Sequence, residues 1–410
     1  MDGYKYGDVT ITNLTVSSTR GTLDLSKSFV SMSIYESIFT PGIIADIVVL
    51  DTDDTLGNLK LSGDEIVTVT MYVLGSLTKN YSFSLSHLKD LAMTSGQQKG
   101  KQYTLECVSD EPMYAKTNYV QKSYNMLCSE IIKDIHTNYL HSKKQLQIED
   151  TIGPQNIVIP HKSPFEAIDF VRGRSVSSKY NSSSYVYFEN TVQGPQQYNF
   201  VTIESMFDLS STKDFIQNSA INTDFYSRID NNIISYTVPK QFNSIQKIAL
   251  AGPRKISTMN FTSQEYQSNT VQTKDTNYKT GGSGTDTSSS FISRFFNALI
   301  PPQSLLPVDI SQRASTHIET ATPNLQAYLS ILSQNAMKIK VVGDTVLTAG
   351  IKINCTIPNK TGTADAGIDP LLSGDFIVSR IHHRIGMFQD TPRYTCTMEL
   401  LKGSYSEAVQ

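Results

Sequence analysis

The chain has 410 residues, of which 39% are apolar and 18% charged, and its formal net charge is −3. That length exceeds what one hydrophobic core organises, so roughly two to four domains are expected. The near-balanced charge and the lack of a basic run exclude a strong electrostatic grip on nucleic acid, while leaving room for DNA that only slides past.

The opening stretch, "MDGYKYGDVTITNL", has neither a basic n-region nor an apolar h-region, and no apolar run approaches the roughly 20 residues that cross a bilayer. The expectation is a chain made in the cytosol, without a secretion signal or membrane anchor. Tyr (21) and Phe (17) are abundant, Trp is absent, and Ser, Thr, Asn and Gln fill much of the rest, which suits β-rich chains. Residues 1–111 read as successive strands: "SKSFVSMSIYES", "GIIADIVVLD", "GDEIVTVTMYV", "YSFSLSHLKDLAM" and "KQYTLECVSD". In the third, Val67, Val69, Met71 and Val73 share one face and Thr68, Thr70 and Tyr72 the other, the period of a half-buried antiparallel strand. Short strands at this spacing predict a small barrel or a sandwich.

Over residues 112–208 the period changes, and a separate α+β module is expected. In "NYVQKSYNMLCSEIIKDIHTNYL" the apolar positions Val120, Tyr124, Leu127, Ile131 and Ile135 recur at three and four, which predicts one amphipathic helix of about six turns. A second helix opens at "SPFEAIDFV", with Ser163 as N-cap, Pro164 in the first turn and Glu166 completing a capping box. "SSYVYFEN" and "YNFVTIESMF" then read as a hairpin.

Strands resume over 209–261 with "NIISYTVPK" and "IQKIALAGPRKISTMNF". Residues 262–335 read as an insertion. Its stretch 262–290 is almost free of apolar residues and carries Gly281, Gly282 and Gly284, so it is expected to be a flexible linker. The apolar patch "FISRFFNALIPP" follows, and then a helix at "TPNLQAYLSILSQNAM", with Thr322 as N-cap and Pro323 behind it. Residues 336–410 close the chain with "KIKVVGDTVLTAG", "IKINCTIP", "GDFIVSRIHHRIG" and "RYTCTMELLKGSY". The overall class is therefore mainly β, or α+β with the module counted.

Chemistry is sparse. Cys107, Cys128, Cys355 and Cys396 lie far apart with no CxxC and no zinc spacing, so buried reduced thiols are expected. His382 and His383 are neighbours on a strand and point to opposite faces, so they cannot chelate one ion together. His383 shares its face with Ile377, Ile381 and Ile385. Arg380, His382 and Arg384 form a basic stripe on the other face, a candidate contact surface beside the plainer reading of a solvated face. Asp51, Asp53 and Asp54 resemble a calcium loop, but Gly57 and Ser62 fall where its Gly and Glu do not allow, so a turn is expected. The "GGSG" run lacks the Lys-Ser/Thr of a phosphate loop. No GxSxG occurs and no Cys stands near a His in a suggestive frame. No catalytic residue, metal site or cofactor is expected, and the enzyme reading is set aside.

One phrase occurs twice, "LSGDEIV" at 61–67 and "LSGDFIV" at 372–378. Aligned on their glycines, the two following apolar faces are out of phase. What repeats is a turn entering an antiparallel strand.

The order of phrases resembles the central baseplate hub protein of contractile-tailed bacteriophages, related to the N-terminal hub part of type VI secretion VgrG spike proteins. The matching phrases are "IYESIFTPGIIADIVVLD", "LSGDEIVTV", "SPFEAIDFV", "SSYVYFEN", "YNFVTIESMF", "ISYTVPKQFNSIQKIALAGPRKISTMNF", "GDTVLTAGIKINCTIP", "LSGDFIVSRIHHRIG" and "YTCTMELLKGSY". The resemblance implies two antiparallel tail-tube-like β-barrels, at 1–111 and at 209–261 with 336–410, flanking the module. It further implies a homotrimer whose pseudo-sixfold ring joins a tail tube protein to a trimeric central spike protein and touches other baseplate proteins. DNA would pass its channel without sequence recognition. Such a chain belongs to the virion, assembled in the host cytoplasm, and carries no catalytic residues. A host-surface-binding β protein and a tail-associated cell-wall hydrolase are the alternatives. The absence of Trp weakens the first.

Overall fold

The computed structural model describes residues 7–52, 63–73, 76–94, 100–180, 182–192, 194–217, 231–241, 254–260, 265–271, 305–308, 335–359, 368–369, 372–388 and 391–402. The first strands are β1 (Thr10–Ser18), β2 (Gly21–Asp24), β3 (Phe29–Ser37), β4 (Ile44–Asp51), β5 (Ile66–Tyr72), β6 (Thr78–Thr94) and β7 (Gly100–Val108). The middle of the chain folds as α1 (Asp110–Thr117), β8 (Val120–Met126), α2 (Cys128–Asn138), β9 (Gln145–Ile148), β10 (Gln155–Lys162), α3 (Pro164–Arg172), β11 (Tyr185–Asn190), β12 (Gln197–Thr202) and α4 (Ile203–Phe207). Then come β13 (Lys213–Ile216), β14 (Ile233–Gln241), β15 (Arg254–Asn260), β16 (Glu265–Val271), β17 (Leu305–Val308), β18 (Asn335–Val342), β19 (Lys352–Thr356), β20 (Gly374–Phe388) and β21 (Thr391–Leu401).

The mainly β class holds. One sheet of 13 strands runs β14-β18-β21-β20-β3-β4-β7-β6-β5-β1-β2, with β19 branching from β20 and β13 from β19. The strands expected to make two separate barrels are thus joined, and among the described residues no circuit of full ladders closes; single bridges, Ile216 with Asn232 beside β14 and Asp8 with Arg393 of β21, link the remaining strand ends. The joint is β20, whose length lets it serve three neighbours. It pairs β21 along nearly its whole length, β19 over Gly374–Ile377, and β3 over Arg380–Gly386. A bulge between Val378 and Arg380 separates the last two ladders. β6 turns a similar corner, pairing β5 up to Ser84 and β7 from Ser84 onward.

Inward parity follows the sequence. In β5, Val67, Val69 and Met71 are fully buried and the Thr residues between them are not. A large core joins such residues from both ends of the chain, Met32, Ile47 and Phe83 with Ile353, Ile381 and Met398. A smaller core lies under the helices, with Val120, Ile131, Ile135, Ile168 and Val171. Strand β11 is buried at all six positions because it walls both cores: Val186 and Phe188 enter the large one, Tyr185 and Tyr187 the small one.

Four expectations change. The six-turn helix is split: Val120–Met126 is a strand paired with β10, and only Cys128–Asn138 is helical. Val120 and Tyr124, both buried, stand four apart, a spacing that fits strand parity as well as a helix turn. Glu130 Oε2 then accepts the Leu127 N–H at 3.1 Å and starts the helix there. Second, Thr202 caps α4, so "YNFVTIESMF" is a strand followed by a short helix. Third, residues 265–271 of the supposed linker form a strand paired in register with β15; backbone pairing needs no apolar pattern. Fourth, Asn335–Met337 begin β18, whereas the rest of the expected helix from Thr322, the patch 291–302, and Gly281, Gly282 and Gly284 lie outside the described residues. The second helix is as expected. Pro164 opens α3, and Glu166 Oε2 accepts from the Ser163 N–H at 3.0 Å and its hydroxyl at 2.9 Å. In the doubled phrase, Gly63 and Gly374 both hold positive φ, 95° and 121°, a conformation that favours glycine. The aspartates after them differ in use: Asp64 accepts from the Thr19 N–H, Asp375 from Asn354.

Candidate functional site

Where β20 meets β3, the large core contains a buried ion cluster. Glu36 shares the inward parity of Met32 and Ile34 on β3 and is 1% exposed; Lys79 on β6 and His383 on β20 are fully buried. Lys79 Nζ lies 3.7 Å from Glu36 Oε1 and donates to the Leu347 carbonyl at 2.7 Å. Glu36 also accepts from the Thr191 hydroxyl at 2.9 Å, the Ala349 N–H at 3.0 Å, and the Thr348 hydroxyl. The cluster therefore ties β3, β6 and β20 to the loop after β11 and the loop before β19. Burial would raise the Glu36 carboxyl, but the Lys79 ammonium, the His383 ring with Nε2 3.6 Å away, and the Thr348 hydroxyl outweigh it and hold the group well below the usual carboxylate range. Burial draws Lys79 below its ordinary value against the pull of Glu36. Burial and the Lys79 charge press His383 down to about 4, so its ring is neutral.

His383 Nδ1 pairs with the Tyr394 hydroxyl at 2.6 Å and lies 3.3 Å from Cys396 Sγ. Sequence spacing did not show this Cys–His proximity, yet His383 and Cys396 are direct cross-strand partners, equidistant from the β20–β21 turn. Burial pushes the Cys396 thiol up to about 11, and a thiol at that value is a poor nucleophile near neutrality. All four cysteines are free and buried.

A second cluster lies where the helical region meets the sheet. Lys144 Nζ sits 2.7 Å from Glu111 Oε2 and 2.7 Å from Glu189 Oε1. Glu189 further accepts from Gln196 Nε2 at 3.0 Å, the Ile43 N–H at 3.2 Å, and the Ser109 hydroxyl. Glu111 accepts from the hydroxyls of Ser142 at 2.6 Å and Tyr198 at 3.2 Å. Glu36, Lys79, Glu111, Lys144 and Glu189 all escaped sequence reasoning. Glu36 carried a signal, its parity with Met32 and Ile34.

The basic stripe lies on the opposite, outward face of β20, at the joint between the sheet halves. Arg380 pairs with Glu399 at 3.0 Å and places its guanidinium 5.7 Å from the centre of the Phe39 ring. His382 stacks on Tyr35 with ring centres 4.4 Å apart, and burial followed by the charges of Arg384 and Lys338 lowers its pKa. In register, Arg384 faces Ser33, Ser33 faces Asp46, and Asp46 faces Glu106, so the row runs from basic to acidic across the sheet. A groove of about 600 Å³ opens between the β3–β4 turn, α1 and the start of α3, lined by Pro41, Ile44, Pro112, Tyr119 and Phe165 among others. Leu91 and Met93 on β6 are 61% and 76% exposed. Asp51 ends β4 and is buried; Asp53, Asp54, Gly57 and Ser62 lie outside the described residues. Among the described residues no group of three His, Cys, Asp or Glu could hold a metal ion, and no helix is long and apolar enough to cross a membrane.

No family model and no curated protein matches the sequence. Solved structures do. A tail protein from Neisseria meningitidis MC58 aligns at TM-score 0.55 and 9% identity, over 95% of this chain and 96% of that one. The 43 kDa tail protein of prophage MuSo2 from Shewanella oneidensis aligns at TM-score 0.51 and 9% identity, over 95% of this chain and 98% of that one. This chain shares the fold of these tail proteins over the aligned 95% of its length, and the resemblance read from its phrases stands at the level of fold.

Proposed function

We propose that this chain is a structural component of a phage tail baseplate, the central hub. Three copies form a pseudo-sixfold ring that joins the sixfold tail tube to the trimeric central spike and lets DNA pass. In this reading residues 1–111 supply one tube-like unit per chain, and 209–261 with 336–410 supply the second. Residues 112–208 form the outlying module and 262–335 the insertion. The observation that carries the reading is the fold shared over 95% of the chain with two tail proteins. The joined sheet supports it: its two halves are hydrogen-bonded to each other through β20 and β3, so one chain can bring both units to a ring as one piece. The outward stripe Arg380, His382 and Arg384 is a contact surface for a neighbouring copy or baseplate protein. A net charge of −3 suits a channel that must not hold DNA. The role is mechanical, with no catalysis, and its place is the virion, assembled in the host cytoplasm. Deleting the gene from its phage and imaging lysates tests this. Loss of assembled tails, restored by the gene in trans, is the expected result. Normal tails that fail only in host attachment or wall digestion would contradict it.

A further inference from the structure

Glu111, Lys144 and Glu189 carry two negative charges and one positive in an enclosed space. Two carboxylates that share one ammonium cannot both ionise at ordinary pH without cost, so the cluster has an affinity for one proton. Its position gives that proton a structural consequence. Glu189 stands on β11 in the wall between the two cores and Lys144 precedes β9, while Ile43 and Ser109 belong to the sheet, at the entry to β4 and the exit from β7. The Ile43 N–H donates both to Ser109 Oγ at 3.0 Å and to Glu189 Oε2 at 3.2 Å, and the Ser109 N–H donates to the Ile43 carbonyl at 3.0 Å.

We propose that this cluster is a proton-linked latch: uptake of one proton tightens the hold of the helical region on the large sheet. The Ser109 hydroxyl makes both states possible. With Glu189 ionised it donates to Oε2; with Glu189 protonated it accepts from that oxygen and turns its own hydrogen to the Ile43 carbonyl, 3.3 Å away. Neither state leaves Ser109 without a partner.

The surroundings assign the proton to Glu189. Its side chain is fully buried, and burial, against Lys144 and with Glu111 adding to it, raises its carboxyl to about 7. For Glu111 burial is outweighed by Lys144 and Ser142, so that carboxyl falls below its usual value and stays ionised. Burial opposes the charge on Lys144, but the two carboxylates win and raise it. On α2, burial holds the His136 imidazole below its ordinary value, and its ring bonds the Tyr187 hydroxyl and the Lys144 carbonyl. Tyr187 and Tyr198 are raised well above the usual phenol value and stay neutral. Asp110, first in α1, is engaged by the Ser84 hydroxyl at 2.7 Å.

The sign follows from linkage. A carboxyl raised in the latched state favours that state most below the ordinary carboxylate value, and the advantage is lost as pH rises through about 7. Hydrogen exchange of the full chain at pH 5 to 8, corrected for intrinsic exchange, reads it at the amides of Ile43 and Ser109. Opening is expected to rise up to about tenfold per pH unit and to level off above neutrality. Glu189→Gln should flatten the profile. Should that variant fail to fold, Glu111→Gln keeps the Glu189 carboxyl and should move the levelling point to lower pH. A flat wild-type profile, the wild-type slope retained in Glu189→Gln, or an unmoved profile in Glu111→Gln would each overturn the latch.

Discussion

Two buried ion clusters stand out among the described residues, and they differ by one carboxylate. At the seam, Glu36 and Lys79 balance each other beside a neutral histidine; at the helical boundary, Lys144 faces two glutamates. The balanced cluster acts as a rivet, with matched charges at the seam where β3, β6 and β20 converge. The unbalanced one holds a group that titrates near neutrality, where two regions meet through side chains. Charge count, more than burial, separates the two roles, because both are enclosed.

The largest effect should come from unbalancing the rivet. Lys79→Met leaves Glu36 buried without its ammonium and is expected to cost about 3–5 kcal/mol in urea denaturation. Adding Glu36→Gln should recover a large part of that. Lys144→Met should cost the same order at pH 8 and visibly less at pH 5.5, where a carboxyl can take a proton. Lys79→Met should share this pH dependence, because Glu36 left without its ammonium is raised by burial in the same way. A cost that does not fall at pH 5.5 in either variant would contradict the account of that cluster.

The next effect is a pair of opposed slopes. His383 is depressed in the folded chain, so its contribution is full above the ordinary histidine value and is lost as pH falls from there toward about 4. Removing it with His383→Leu should abolish up to about 3 kcal/mol of rise across that window, and expose the falling slope of Glu189 beneath it. Stability measured by denaturant titration at several pH values checks this. The smallest effect belongs to local structure: Ser163→Ala removes the cap of α3 and should cost about 1 kcal/mol, independent of pH between 6 and 8.

Local rules made parts of this fold legible. Val67, Val69 and Met71 gave a strand by parity, Ser163, Pro164 and Glu166 gave a helix start, and the opposite faces of His382 and His383 followed from the pleat. Val120 and Tyr124 misled because a spacing of four satisfies both periods. The ion clusters were harder for a different reason. Lys79 meets Glu36, and Lys144 meets Glu189, only after sheet register and the β11 wall are set, and no local pattern encodes that register. The Cys396–His383 contact was within reach, since a hairpin pairs residues equidistant from its turn.

The proposed hub rests most directly on how the purified chain assembles. Electron-microscope images of the chain with its tail tube and spike partners should show a ring of three copies with pseudo-sixfold outline, seated between tube and spike. A chain that stays monomeric at high concentration and joins neither partner would contradict the account.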